Sequence, residues 1–143
     1  MSHWQESLRT CVPDIDQEHR FLYGLLARLD LSRATEAIDA LHAFLQEHFV
    51  HEERLMDESS YPDRAEHRHQ HAHLAARVEQ LRASAAPWTM ARLHAFRSLL
   101  SDWLEAHIAV HDKALALWHA AWTEYTRGPM PHKGVMETSM GQP

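Results

Sequence analysis

The chain has 143 residues, 45% of them apolar and 24% charged, enough to bury one hydrophobic core without covalent staples. Its net charge of −6 excludes a nucleic-acid binder that works by neutralising phosphates, and its single cysteine, Cys11, excludes an internal disulfide and any thiolate-based zinc or iron–sulfur site. Histidine is the outlier: 14 residues, more than a core or a solvated surface requires, which directs attention to metal.

Met1 to Val12 is mixed polar with no apolar run, and the longest apolar stretch, Phe21–Ala27, falls far short of the roughly 18 residues that span a bilayer. The expectation is a soluble cytoplasmic protein. Cys11 reads as a plain small residue ahead of the first helix.

Pro13, Pro62 and Pro87 each open a long stretch almost free of helix breakers, as proline does at a first helical turn. The other three prolines and three of the four glycines fall at or beyond Gly128. This punctuation predicts four helices near 14–30, 33–58, 62–84 and 88–127, with Ser32 capping the second. The expected division is a helical domain over 1–127 and a flexible tail over 128–143.

Each helix carries an apolar stripe in steps of four and three. The stripes read Ile15, His19, Leu22, Leu26, Leu29; then Leu41, Leu45, His48, Glu52, Leu55; then His67, His71, Leu74, Val78, Leu81; then Leu93, Phe96, Leu100, Trp103, His107. Metal-capable side chains sit inside all four. That is the pattern of an all-α, up-down-up-down four-helix bundle with a metal site in its core.

The third helix holds two overlapping His pairs. Residues four apart lie about 40° apart around a helix and about 6 Å along it, so either pair could chelate. His67 and His71 run on into Leu74 and Val78, whereas His69 and His73 lead to Arg77 and Gln80, a solvated face. The first pair is therefore the ligand candidate. Glu52, buried on the second stripe, must be paired, neutralised or bound to a cation. His51 and Glu53 flank it and are expected to be exposed; His3, His42, His94, His119 and His132 read as surface or packing residues. On the fourth helix, spacing alone selects His111 after His107, because Asp112 lies about 140° off His107's face.

Taken in order, His19, His48-Phe-Val-His-Glu52, Tyr61-Pro62, His67-Arg-His-Gln-His71 and Trp103-Leu-Glu-Ala-His107-Ile-Ala-Val-His-Asp112 resemble the hemerythrin family in its single-domain bacterial form. The likeness covers about residues 4–125, and all seven ligand positions of the family pattern are filled. It implies a non-haem pair of irons. One would be held by His67, His71 and His107, the other by His19 and His48. Glu52 and Asp112 would bridge both, together with an oxo or hydroxo group. It further implies an open position on the second iron for O2 or a small anion such as azide, inside an apolar pocket of Phe49, Trp103, Leu104 and Ile108.

The resemblance thus implies an oxygen carrier, store or sensor rather than an enzyme, with room for a protein acceptor of the O2 and no nucleic-acid partner. The alternative is a di-iron redox enzyme, or a peroxide- or nitric-oxide-handling protein, using the same ligands. Five histidines against two carboxylates contrast with carboxylate-rich di-iron sites and favour binding O2 over activating it. The family pattern selects Asp112 where spacing selects His111. A single π-type turn reconciles them by inserting one residue, and Asp112 is the residue we expect to face inward.

Overall fold

The computed structural model describes residues 3–128. A 3-10 turn (Glu6–Leu8) precedes α1 (Pro13–Ala27), and a second (Leu31–Arg33) leads into α2 (Ala34–Glu58). α3 (Arg64–Ala83) and α4 (Met90–His107) follow, and a π turn (Ile108–Asp112) joins α4 to α5 (Lys113–Thr126) as one continuous rod. No strand occurs among the described residues. The short connections make consecutive rods antiparallel neighbours. α1 packs on α2 and α4, α2 on α3 and α5, and α3 on α4, which closes a four-helix bundle. The expected tail from residue 129 onward, with His132, lies outside the described residues.

Local chemistry sets the helix ends. Pro13 opens α1, where its missing N–H costs nothing. Ser32 is not the cap of α2. The chain makes a 3-10 turn first, capped by Asp30 Oδ1, which accepts from the Ser32 backbone N–H at 2.9 Å, and α2 itself follows from Arg33 with no side-chain cap. Thr89 caps α4 by accepting from the Arg92 backbone N–H. Arg97 on α4 donates to the carbonyls of Leu26 and Leu29 at 3.1 and 2.6 Å, satisfying the open end of α1 while tying it to α4.

The stripes face inward as their spacing requires. Every stripe residue of α1 is buried, and on the other helices only Leu55, Leu81 and Trp103 are half-buried. The core is layered. Leu22, Leu26, Ile38, Leu41, Leu45, Leu74, Val78, Phe96 and Leu100 belong to one large apolar cluster, and Met56, Tyr61 and Leu115 form a smaller one. Along α2 the histidine and carboxylate fall between Leu45 of the large cluster and Met56 of the small one, and along the α4–α5 rod between Leu104 and Leu115.

Candidate metal centre

Each helix delivers its share of a single interior cluster: His19 from α1, His48 and Glu52 from α2, His67 and His71 from α3, His107 from α4 and Asp112 from the end of the π turn. All seven side chains are buried. They resolve into two groups of donor atoms that share Glu52 and Asp112.

In the three-histidine group, His107 Nε2 lies 3.1 Å from His67 Nε2 and 3.2 Å from His71 Nε2. Glu52 Oε2 stands 3.0 Å from His71 Nε2 and 3.3 Å from His67 Nε2. Asp112 Oδ1 stands 2.9 Å from His107 Nε2 and 3.0 Å from His67 Nε2. In the two-histidine group the opposite oxygens serve. Glu52 Oε1 lies 3.1 Å from His48 Nε2 and 3.5 Å from His19 Nε2, while Asp112 Oδ2 lies 2.9 Å from His19 Nε2. Each carboxylate therefore directs one oxygen into each group.

With neutral imidazoles these contacts do not make a satisfied hydrogen-bond network. All four carboxylate oxygens and His19 Nε2 are buried with no hydrogen-bond partner among the described residues, despite imidazole nitrogens at contact distance. Buried polar atoms left in this condition cost about 1–3 kcal/mol each. Three imidazoles meeting through their Nε2 atoms likewise lack the donors to satisfy one another. A central cation removes both difficulties. Donors at right angles around an ion at about 2.1 Å stand about 3.0 Å apart, the spacing seen here. Nitrogen and oxygen donors without thiolate suit a first-row cation of intermediate softness such as iron.

The electrostatics follow from burial set against these close charges. Burial pushes carboxyl pKa values up, yet the His48 charge and contacts with His19, His48 and His67 hold Glu52 well below the usual carboxylate range. Burial and the neighbouring Glu52 raise Asp112, but His107, His19 and His67 outweigh them and its pKa is lowered. Burial pushes imidazoles down, but the carboxylates lift His48 to about 10 and His67 to about 9, and raise His19. At His107 burial prevails and the pKa falls. A metal held here would compete with protons for His19, His48 and His67, whose pKa values the carboxylates raise.

The rings are supported from behind. His48 Nδ1 lies 3.3 Å from Glu18 Oε2, and His51 Nδ1 lies 2.9–3.0 Å from both Glu18 oxygens. Burial raises Glu18, but the His48 and His51 rings overcome it and leave its pKa lowered. His71 Nδ1 lies 3.2 Å from Glu53 Oε1. His51 and Glu53 are thus half-buried rather than exposed, because the flanks of α2 face α1 and α3 instead of solvent. Glu18 went unnoticed in the sequence because it lies off the α1 stripe.

Aromatic rings complete the wall. Phe49 stacks on His71 at 3.9 Å between centroids and stands 5.9 Å from His48, so it touches both groups. Trp103 stacks on His107 at 4.3 Å and is half-buried on the three-histidine side. Leu104 and Ile108 are fully buried in the large apolar cluster with Phe49. Trp4, missed in the sequence, lies over His19 at 6.2 Å.

His69 and His73 are exposed, as their solvated face requires, and so are His3 and His94. His42 and His119 are half-buried away from the cluster, His42 lying 3.5 Å from Glu79. His111 stands on the flank, half-buried, its ring 5.2 Å from that of His107.

A bundle whose core gathers two carboxylate-linked donor groups defines a cation-binding four-helix protein. Comparison with known proteins makes the class specific. The family described as "Hemerythrin HHE cation binding domain" matches residues 10–117. A bacteriohemerythrin of Stenotrophomonas maltophilia is 34% identical over 79% of this chain and 78% of its own. One of Ralstonia nicotianae is 30% identical over 88% and 90%. A myohemerythrin of Riftia pachyptila is 29% identical over 73% and 82%. The chain belongs to the hemerythrin family.

Proposed function

We propose that this protein binds O2 reversibly at a pair of irons held by the interior cluster. The observation that carries the proposal is the division of Glu52 and Asp112, each with one oxygen in either group. His67, His71 and His107 would hold one iron and His19 and His48 the other, with the two carboxylates and an oxo or hydroxo bridge spanning both. Counting such a bridge, the first group would offer six donors and the second five, which would leave the open position on the side of His19 and His48. When bound, the iron pair supplies an exchangeable coordination position and the electrons for reversible O2 binding.

The chain's own residues supply the rest. Five neutral imidazoles and two carboxylates carry less negative charge than a carboxylate-rich set, which leaves the higher oxidation states of iron less stabilised. Phe49, Trp103, Leu104 and Ile108 are the proposed apolar pocket, excluding the water and protons that would turn reversible binding into oxidation. Residues through 127 are proposed to make up the working unit. No described helix is long and apolar enough to cross a membrane.

The test is iron stoichiometry followed by an O2 cycle. Purified protein should carry two irons per chain, change spectrum on exposure to O2, and revert when the gas is removed. One iron per chain after full reconstitution would refute the dinuclear reading. Immediate conversion to a stable di-ferric form would favour the redox alternative. Azide should bind the oxidised protein on the side of His19 and His48.

A further inference from the structure

Two carboxylates outside the cluster reach its rings from behind, and they do so unequally. His48 and His71 are the two cluster imidazoles whose Nδ1 meets a carboxylate: Glu18 for His48, Glu53 for His71. The Nδ1 atoms of His19, His67 and His107 are buried with no hydrogen-bond partner among the described residues. In the two-histidine group, Glu18 is therefore the carboxylate behind one ring of two. In the three-histidine group, Glu53 stands behind one ring of three. Glu18 is also clamped from the surface side, where the half-buried His51 points Nδ1 at both of its oxygens. A carboxylate gripped by two imidazoles on the neighbouring helix has little freedom to swing into solvent.

An imidazole whose Nδ1–H donates to a carboxylate is fixed in one tautomer and one ring orientation, with its Nε2 lone pair free for metal and made more basic. We propose that Glu18 is a positioning residue for the two-histidine group: it aims His48 Nε2 into that group and lends it negative charge, and His51 holds the carboxylate in place. Glu53 does the same for His71 on the other side. This rests on the two-iron reading above. It adds that the group with the open position is tuned by a carboxylate outside the ligand set.

Glu18→Gln separates charge from shape, since the amide keeps the length and an acceptor oxygen while losing the anion. Metal-free wild type, Glu18→Gln and Glu53→Gln would be titrated anaerobically with ferrous iron against a competing chelator. The azide charge-transfer spectrum of each oxidised protein would then be recorded. Glu18→Gln should weaken one of the two iron sites by about 10–100-fold, the usual effect of losing such an outer partner, and should shift the azide band. Glu53→Gln should weaken the other site and leave the azide band in place. His51→Ala, which keeps the Glu18–His48 contact but frees the carboxylate, should shift the band less and in the same direction. Both iron affinities and the azide band unchanged in Glu18→Gln and His51→Ala would overturn the proposal. Wild type loading a single iron would instead overturn the two-iron reading.

Discussion

His107 and Asp112 are five residues apart on an unbroken helical rod, yet His107 Nε2 and Asp112 Oδ1 meet at 2.9 Å in the same interior cluster. In a regular α-helix they would face about 140° apart. The π turn removes that angle: the Lys113 backbone N–H donates to the Ile108 carbonyl, five residues back, so one extra residue fits into the turn. The register shift carries on downstream, where Leu115 is buried while Ala114 and Ala121 are exposed.

That register makes opposite demands on two adjacent residues. Asp112→Ala takes one oxygen from each donor group and should weaken iron binding by more than the roughly 10–100-fold typical of an outer-shell loss. His111→Ala alters only a flanking ring and should retain both irons. Chelator-competition titration of the two variants checks this, and equal losses would contradict the assignment.

Leu104, one of the proposed pocket residues, is 1% exposed within the large apolar cluster. Leu104→Asn should leave two irons per chain but speed autoxidation of the oxygenated protein, because a polar side chain brings water in. The buried amide should also lower stability by about 1–3 kcal/mol. Autoxidation at the wild-type rate would place the pocket elsewhere.

The metal-free protein should weaken as pH rises. The folded-state pKa values of His48 and His67, about 10 and about 9, exceed the ordinary 6.5. Their contribution is complete below 6.5 and disappears as pH climbs toward 10. Glu52 and Asp112 are lowered, so their contribution is present above the ordinary carboxylate values and disappears in acid. The urea midpoint of metal-free protein should be highest near roughly pH 5–6.5 and fall steadily to pH 10. Iron-loaded protein, with its imidazoles already deprotonated as ligands, should lack the alkaline decline. A metal-free midpoint that is flat from pH 6.5 to 10 would contradict this.

Cys11 has φ +68°, a left-handed conformation that costs a side-chain-bearing residue about 1–2 kcal/mol. The turn is held by buried Asp16. Its Oδ1 accepts from the Thr10 N–H and hydroxyl, each at 2.8 Å, and its Oδ2 accepts from the Cys11 N–H at 3.1 Å. Cys11→Gly should raise thermal stability by about 0.5–1 kcal/mol, the relieved strain less the added freedom of the unfolded chain. Iron content should not change. A lower melting temperature would show that the thiol packs usefully.

The helices and the inward direction of His19, His48, Glu52, His67, His71 and His107 were legible from spacing. A side chain's angle about its own helix axis is a local property, and an apolar stripe reports it directly. His69 and His73 were separated from His67 and His71 on the same ground, and their exposure follows it. Asp112 was legible only through family resemblance, since the rule that served six cluster residues selects His111 in place of the seventh.

Other features belonged to the tertiary structure alone. The cap at Asp30 rather than Ser32 depends on a 3-10 turn that no spacing announces. Glu18 and Glu53 lie off the inward stripes, so spacing gives Glu18 no role and reads Glu53 as exposed. They become the carboxylates behind His48 and His71 because α1 and α3 pack against the flanks of α2. Trp4 comes to lie over His19 through the fold of the arm before α1. Periodicity records where a side chain points relative to its own helix. What stands behind a ligand ring is set by how neighbouring helices pack together, and only the assembled bundle decides that.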